Sequence, residues 1–73
     1  MRLIIDKGNT RTKVAVYKKE KLLSVIAVGR LDVNFIAELL SKYDITATIF
    51  SSVSGMETVD VMDYLAKKTQ LFS

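Results

Sequence analysis

Apolar and polar residues change rhythm along this chain, and each change marks a different kind of element. Arg2 to Asp6 is a short apolar run with two isoleucines, the pattern of a buried strand. Strand alternation sets Asp6 with Ile4 on one face and Lys7 with Leu3 and Ile5 on the other, where a lysine must snorkel outward or lie close to the turn. From Arg11 to Tyr17 the residues alternate, with Thr12, Val14 and Val16 on one side and Arg11, Lys13, Ala15 and Tyr17 on the other. Leu22 to Val28 is a third strand, rich in leucine, valine and isoleucine, and Gly29 punctuates its end. Short connections between the three predict an antiparallel meander.

The period then lengthens from two to between three and four. Asp32 is placed to cap a helix, with Leu31 and Ile36 spaced as a hydrophobic staple. Phe35, Ile36, Leu39, Leu40 and Tyr43 then fall on one helical face. Ile45 to Val53 reads as a buried strand, of which Ala47 to Ser52 is expected to join the sheet parallel to a neighbour through a right-handed crossover. Ser54 and Glu57 have capping-box spacing, and Val59, Met62, Leu65 and Ala66 are expected to form the apolar face of a second helix. Leu71 and Phe72 look like the start of a further strand. The expected class is α/β, in the order β-β-β-α-β-α, with a mixed sheet containing an antiparallel three-strand meander.

Composition narrows the functional classes. At 73 residues the chain is expected to be one domain, and with neither cysteine nor histidine it can form no disulfide and no Cys/His zinc site. No apolar run approaches the roughly 20 residues a membrane helix needs, and the first residues begin a strand instead of a leader, so a cytoplasmic protein without a membrane partner is expected. The net charge of +3 raises the question of nucleic acid. Lys18, Lys19 and Lys21 crowd a turn around Glu20, while Lys67 and Lys68 suit the end of a helix. No aromatic residues are interleaved with them, which argues against a nucleic-acid surface.

The candidate chemistry lies between the first two strands, in the string D-K-G-N-T-R-T-K from Asp6 to Lys13. Asp6 ends a strand, a suitable place for an oxygen ligand to magnesium shared with phosphates. Gly8 permits a positive φ and leaves room for a phosphate to approach backbone N–H groups. Asn9 and Thr10 add side-chain donors, and Lys13 on the returning strand can reach the same phosphates as a point charge. The same residues are also ordinary turn formers, so the string by itself equally suits a structural hairpin.

The spacing D-x-G-N-T-x-x-K resembles the first phosphate motif of type III pantothenate kinases, members of the acetate and sugar kinase/Hsp70/actin superfamily. That resemblance implies a partial ribonuclease H-like (actin-like ATPase) lobe and a kinase passing the γ-phosphate of ATP to pantothenate in coenzyme A biosynthesis. By the same resemblance Asp6 would be catalytic and hold Mg²⁺, Gly8, Asn9, Thr10 and Lys13 would bind the phosphates of ATP, and Ser51 and Ser52 would be weaker site candidates near the cleft. Potassium or ammonium as a monovalent cation and a homodimer are implied in the same way. Ser54 and Gly55 depart from the family, where an apolar residue and proline are usual, and Lys7 departs from a small or apolar position. The family's later G-x-D-R motif has no counterpart within residues 1–73, so the chain is expected to be the amino-terminal part of such a domain, inactive alone. Two other readings stand beside it: a non-catalytic regulatory or assembly module that pairs through a sheet edge, and, more remotely, a small basic nucleic-acid-binding domain.

Overall fold

A computed structural model describes residues 1–8, 11–51 and 59–72. The elements are β1 (Arg2–Lys7), β2 (Thr12–Lys18), β3 (Lys21–Val28), α1 (Val33–Lys42), β4 (Ala47–Ser51), α2 (Val59–Lys68) and β5 (Gln70–Phe72). They form an α/β fold whose five strands lie in one mixed sheet in the order β3-β2-β1-β4-β5. β1 pairs antiparallel with β2 and β2 antiparallel with β3, as the short connections require. β4 joins β1 in parallel and β5 joins β4 in parallel. The expected parallel strand is therefore present from Ala47 to Ser51; Ser52 and Val53 lie outside the described residues.

This strand order decides which side the helices take. The crossovers from β3 to β4 and from β4 to β5 travel in the same direction across the sheet, so a common right-handed sense lays both helices on one face. Leu3, Ile5, Val14, Val16 and Phe50 point to that face and enclose one core with Ile36 and Leu39 of α1 and Val61 and Leu65 of α2. Alternate residues on the same strands, including Ile4, Ala15 and Ile49, point to the opposite face and are only partly buried.

α1 begins as its capping residues dictate. The Phe35 backbone N–H donates to the Asp32 carboxylate at 2.8 Å, while Leu31 and Ile36 are both buried in the core as a staple would place them. Its far end is closed by the Tyr43 N–H donating to the Leu39 carbonyl at 3.0 Å.

α2 departs from expectation in its phase. Its core side chains are Val61 and Leu65, with Met62 and Tyr64 partly buried, whereas Val59 is 47% exposed and Ala66 is exposed. At about 100° per residue, Val59 and Ala66 lie on the far side of the helix from Val61. The expected stripe was thus rotated by roughly a quarter turn. The cause is tertiary: α2 has to meet both α1 and the inner face of β5, and Val61 and Leu65 are spaced to do so. The capping box of Ser54 and Glu57 lies outside the described residues.

A buried hydroxyl pair joins the last elements. Thr48 of β4 and Thr69 after α2 share a hydrogen bond of 2.8 Å, and the Thr69 hydroxyl also lies 2.9 Å from the Leu65 carbonyl. The chain then continues through β5, a short edge strand whose Leu71 lies opposite Thr48.

Candidate functional site

The β1–β2 hairpin is closed where the Gly8 N–H donates to the Arg11 carbonyl at 2.9 Å. Asn9 and Thr10, bracketed by these two, lie outside the described residues, so their expected phosphate-binding roles are not located. Of the two properties expected of Gly8, the positive φ is not found. A Cβ at this position would sit 3.0 Å from the Arg11 carbonyl oxygen, closer than most such contacts. The requirement is close approach of two strands, with no left-handed turn at Gly8.

The register brings three of the candidate side chains into one row. Asp6 stands opposite Lys13 across β1 and β2, and opposite Ser51 across β1 and β4. All three are exposed and belong to the face that carries no helix. Cβ atoms of directly opposed residues are about 5 Å apart, so a carboxylate, an ammonium group and a hydroxyl are held within one small patch. Ser52 follows this row in sequence and lies outside the described residues. Lys7 takes the other face, half-buried and opposite the buried Thr12, as the alternation of β1 requires.

The row offers one carboxylate. Among the described residues no cluster of three or more aspartate, glutamate, histidine or cysteine side chains could enclose a metal ion. Magnesium does not require one, because it keeps several waters and is commonly held by one or two carboxylates together with substrate phosphates. The donor set therefore fits a magnesium ion delivered with a nucleotide, bound to Asp6 directly or through water, better than a resident ion in an all-protein cage.

A second feature was not legible beforehand. Arg30, Asp32, Asn34 and Asp60 line an open crevice of about 350 Å³, floored by Leu31, Val33 and Val61. It forms where the beginnings of α1 and α2 converge, at the end of the sheet to which β1, β3 and β4 run. Nothing in the local pattern of either helix signals it, because its two walls come from segments nearly thirty residues apart.

No protein-family model matches the chain, and no curated protein matches it. Among the described residues, no helix is long and apolar enough to cross a membrane.

Proposed function

We propose that this chain is the phosphate-binding part of an ATP-dependent kinase resembling type III pantothenate kinases, with pantothenate as the acceptor and the fold a partial ribonuclease H-like lobe. The observation that carries this reading is the cross-strand row of Lys13, Asp6 and Ser51 beside the Gly8 hairpin closure. An antiparallel meander followed by a parallel strand supports the lobe assignment, since it sets the hairpin at the centre of the sheet with an uncovered face before it.

In this reading the residues divide the work by charge. Asp6 orients the magnesium that accompanies ATP, Lys13 draws the phosphates to the hairpin, and Gly8 lets backbone approach closely. Asn9 and Thr10 contribute side-chain donors, and Ser51 and Ser52 border the site. Phosphoryl transfer depends on positioning and charge stabilisation from several sides of the phosphate. In the family that the chain resembles, the group that deprotonates the acceptor and the pantothenate contacts belong to the later G-x-D-R motif, which residues 1–73 do not contain. A potassium or ammonium requirement, a homodimeric enzyme and a cytoplasmic location belong to the same reading.

The test is nucleotide titration of the chain followed by amide NMR, with and without magnesium. Magnesium and ATP together are expected to shift the Gly8 and Lys13 resonances weakly, at millimolar nucleotide, with no turnover of pantothenate. Asp6→Asn keeps the side chain's shape but removes the charge a hard cation needs, so it should abolish the magnesium dependence while leaving the fold intact. In a full-length enzyme the same change should lower turnover by orders of magnitude. Equal shifts in Asp6→Asn, or none at Gly8 and Lys13 in the parent, would remove the phosphate reading and leave a structural hairpin.

A further inference from the structure

We propose that the corner beside the β2–β3 turn, on the sheet face that carries no helix, docks an acidic amphipathic helix of another protein. Charge is the first reason. Arg2, Lys18, Lys19 and Lys21 gather there around one carboxylate, Glu20, so this corner alone holds +3, the net charge of the entire chain. The seven basic and seven acidic residues elsewhere cancel. All five corner residues are exposed. Lys19 holds its place at a conformational cost, since its φ of 57° is left-handed, a state that glycine adopts freely. Its carbonyl accepts a hydrogen bond from the Arg2 guanidinium, which lies 5.7 Å from the centroid of the Tyr17 ring. The cations are thus carried on a braced frame, with a lysine where glycine would be less strained.

The second reason is the β-bulge in β3. Leu22 stands opposite Tyr17 and Ser24 opposite Val16, which leaves Leu23 as an extra residue. Tyr17 and Ala15 share the face without helices, and Val25 stands opposite Ala15, so Leu22, Leu23 and Val25 all belong to that face. Unbroken alternation would have turned one of the two leucines inward. Instead Leu22 and Leu23 are 47% and 38% exposed, and Val25 is 54% exposed. An apolar strip therefore begins where the cations end.

These features select the occupant. Lys21 and the bulge protect β3 against an added strand, so a partner meets side chains and not the backbone edge. The opposite face of the same sheet already seats two helices of ten residues each. Two turns of such a helix rise about 11 Å, which matches the roughly 10 Å from Leu22 to Val25. Apolar residues at i, i+3, i+4 and i+7 cover the strip, while carboxylates on the helix flank, or its negative C-terminal end, meet the cations. A nucleic acid would leave the leucines in water, and a flat bilayer cannot follow the twisted face inward to Val25. The row of Lys13, Asp6 and Ser51 takes no part, so this inference does not rest on the phosphate reading.

Amide NMR titration of the full chain tests the docking with a synthetic helical peptide of about 14 residues, leucine at those four spacings and glutamate on the remaining surface. A control peptide carries lysine in place of every glutamate. The glutamate peptide is expected to shift Tyr17, Leu22, Leu23 and Val25 with a sub-millimolar dissociation constant, weakened at least about tenfold on raising salt to roughly 0.5 M. The lysine peptide should leave these residues unmoved. Leu23→Ser should weaken binding about tenfold with unchanged circular dichroism. Lys19→Gly should keep or raise the thermal midpoint yet weaken binding several-fold, a combination that a merely structural turn does not produce. If Leu23→Ser fails to fold, Lys19→Gly decides alone. Shifts that are absent at millimolar glutamate peptide or confined to other faces overturn the proposal, as does equal binding of the lysine peptide or full affinity in Lys19→Gly. Self-association that covers the leucines, or tighter binding to phosphatidylserine vesicles or duplex DNA than to the peptide, overturns it equally.

Discussion

The two faces of the sheet are made from alternate residues of the same strands, yet they have opposite characters. On the helix side, Leu3, Ile5, Val14 and Val16 are essentially inaccessible to solvent. On the other side, their immediate neighbours Ile4, Ala15 and Asp6 range from partly buried to exposed, and the described candidate side chains Asp6, Lys13 and Ser51 belong to this side. Identity of residue type does not explain the contrast, since Ile4 and Ile5 are both isoleucine. What differs is the direction of two crossovers, which brought both α1 and α2 to one side and left the other, among the described residues, without a helix.

That contrast can be broken most forcefully at the two isoleucines. Ile5→Ala should cost about 2–5 kcal/mol by transfer and cavity terms, comparable to the whole stability of a domain this small, and leave the chain largely unfolded at room temperature. Ile4→Ala on the open face should cost less than half as much. Urea melts followed by circular dichroism compare them directly, and equal losses would mean that the open face is covered as tightly as the helical one.

A smaller effect is expected from the polar interior of the helix side. Thr69→Val leaves the completely buried Thr48 hydroxyl without its partner and should cost about 1–3 kcal/mol. Adding Thr48→Val to it should recover part of that loss, because no unsatisfied hydroxyl then remains. A double variant whose loss equals the sum of the single ones would show that the two threonines do not act together.

Next comes the start of α1, where Asp32→Ala should remove about 1 kcal/mol by orphaning the Phe35 N–H. An unchanged thermal midpoint would show that solvent replaces the cap at no cost. The smallest effect on stability belongs to the open face. Lys13→Met should stay within about 0.5 kcal/mol of the parent, as exposed substitutions do, while weakening the response to magnesium and ATP. A large stability loss with nucleotide response unchanged would return Lys13 to the structural hairpin.

Local signals carried far in this chain, and they did so where one physical rule dominated. The alternation from Thr12 to Val16 matches the buried positions of β2 because a strand with one covered face has no other way to hide its valines. Asp32 was recognisable as a cap because a short acceptor before an apolar period meets the free N–H groups of the first turn. The membership of Asp6, Gly8 and Lys13 in one hairpin was likewise readable, being a matter of two adjacent strands.

Other features were decided only by the assembled sheet. The phase of α2 was one, because Val59, Val61, Met62 and Leu65 are apolar and only the positions of α1 and β5 select among the faces they could form. The place of Ser51 beside Asp6 was another, since a parallel pairing across an intervening helix leaves no mark on the residues near either strand. Gly8 shows the two levels at one position: its sequence marks a tight turn, but its closeness to the Arg11 carbonyl exists only once β2 has returned alongside β1. Sequence periodicity records which side of each element avoids water, a property of neighbours three or four residues apart. Which elements then meet depends on strand order and crossover direction, and no single segment contains either.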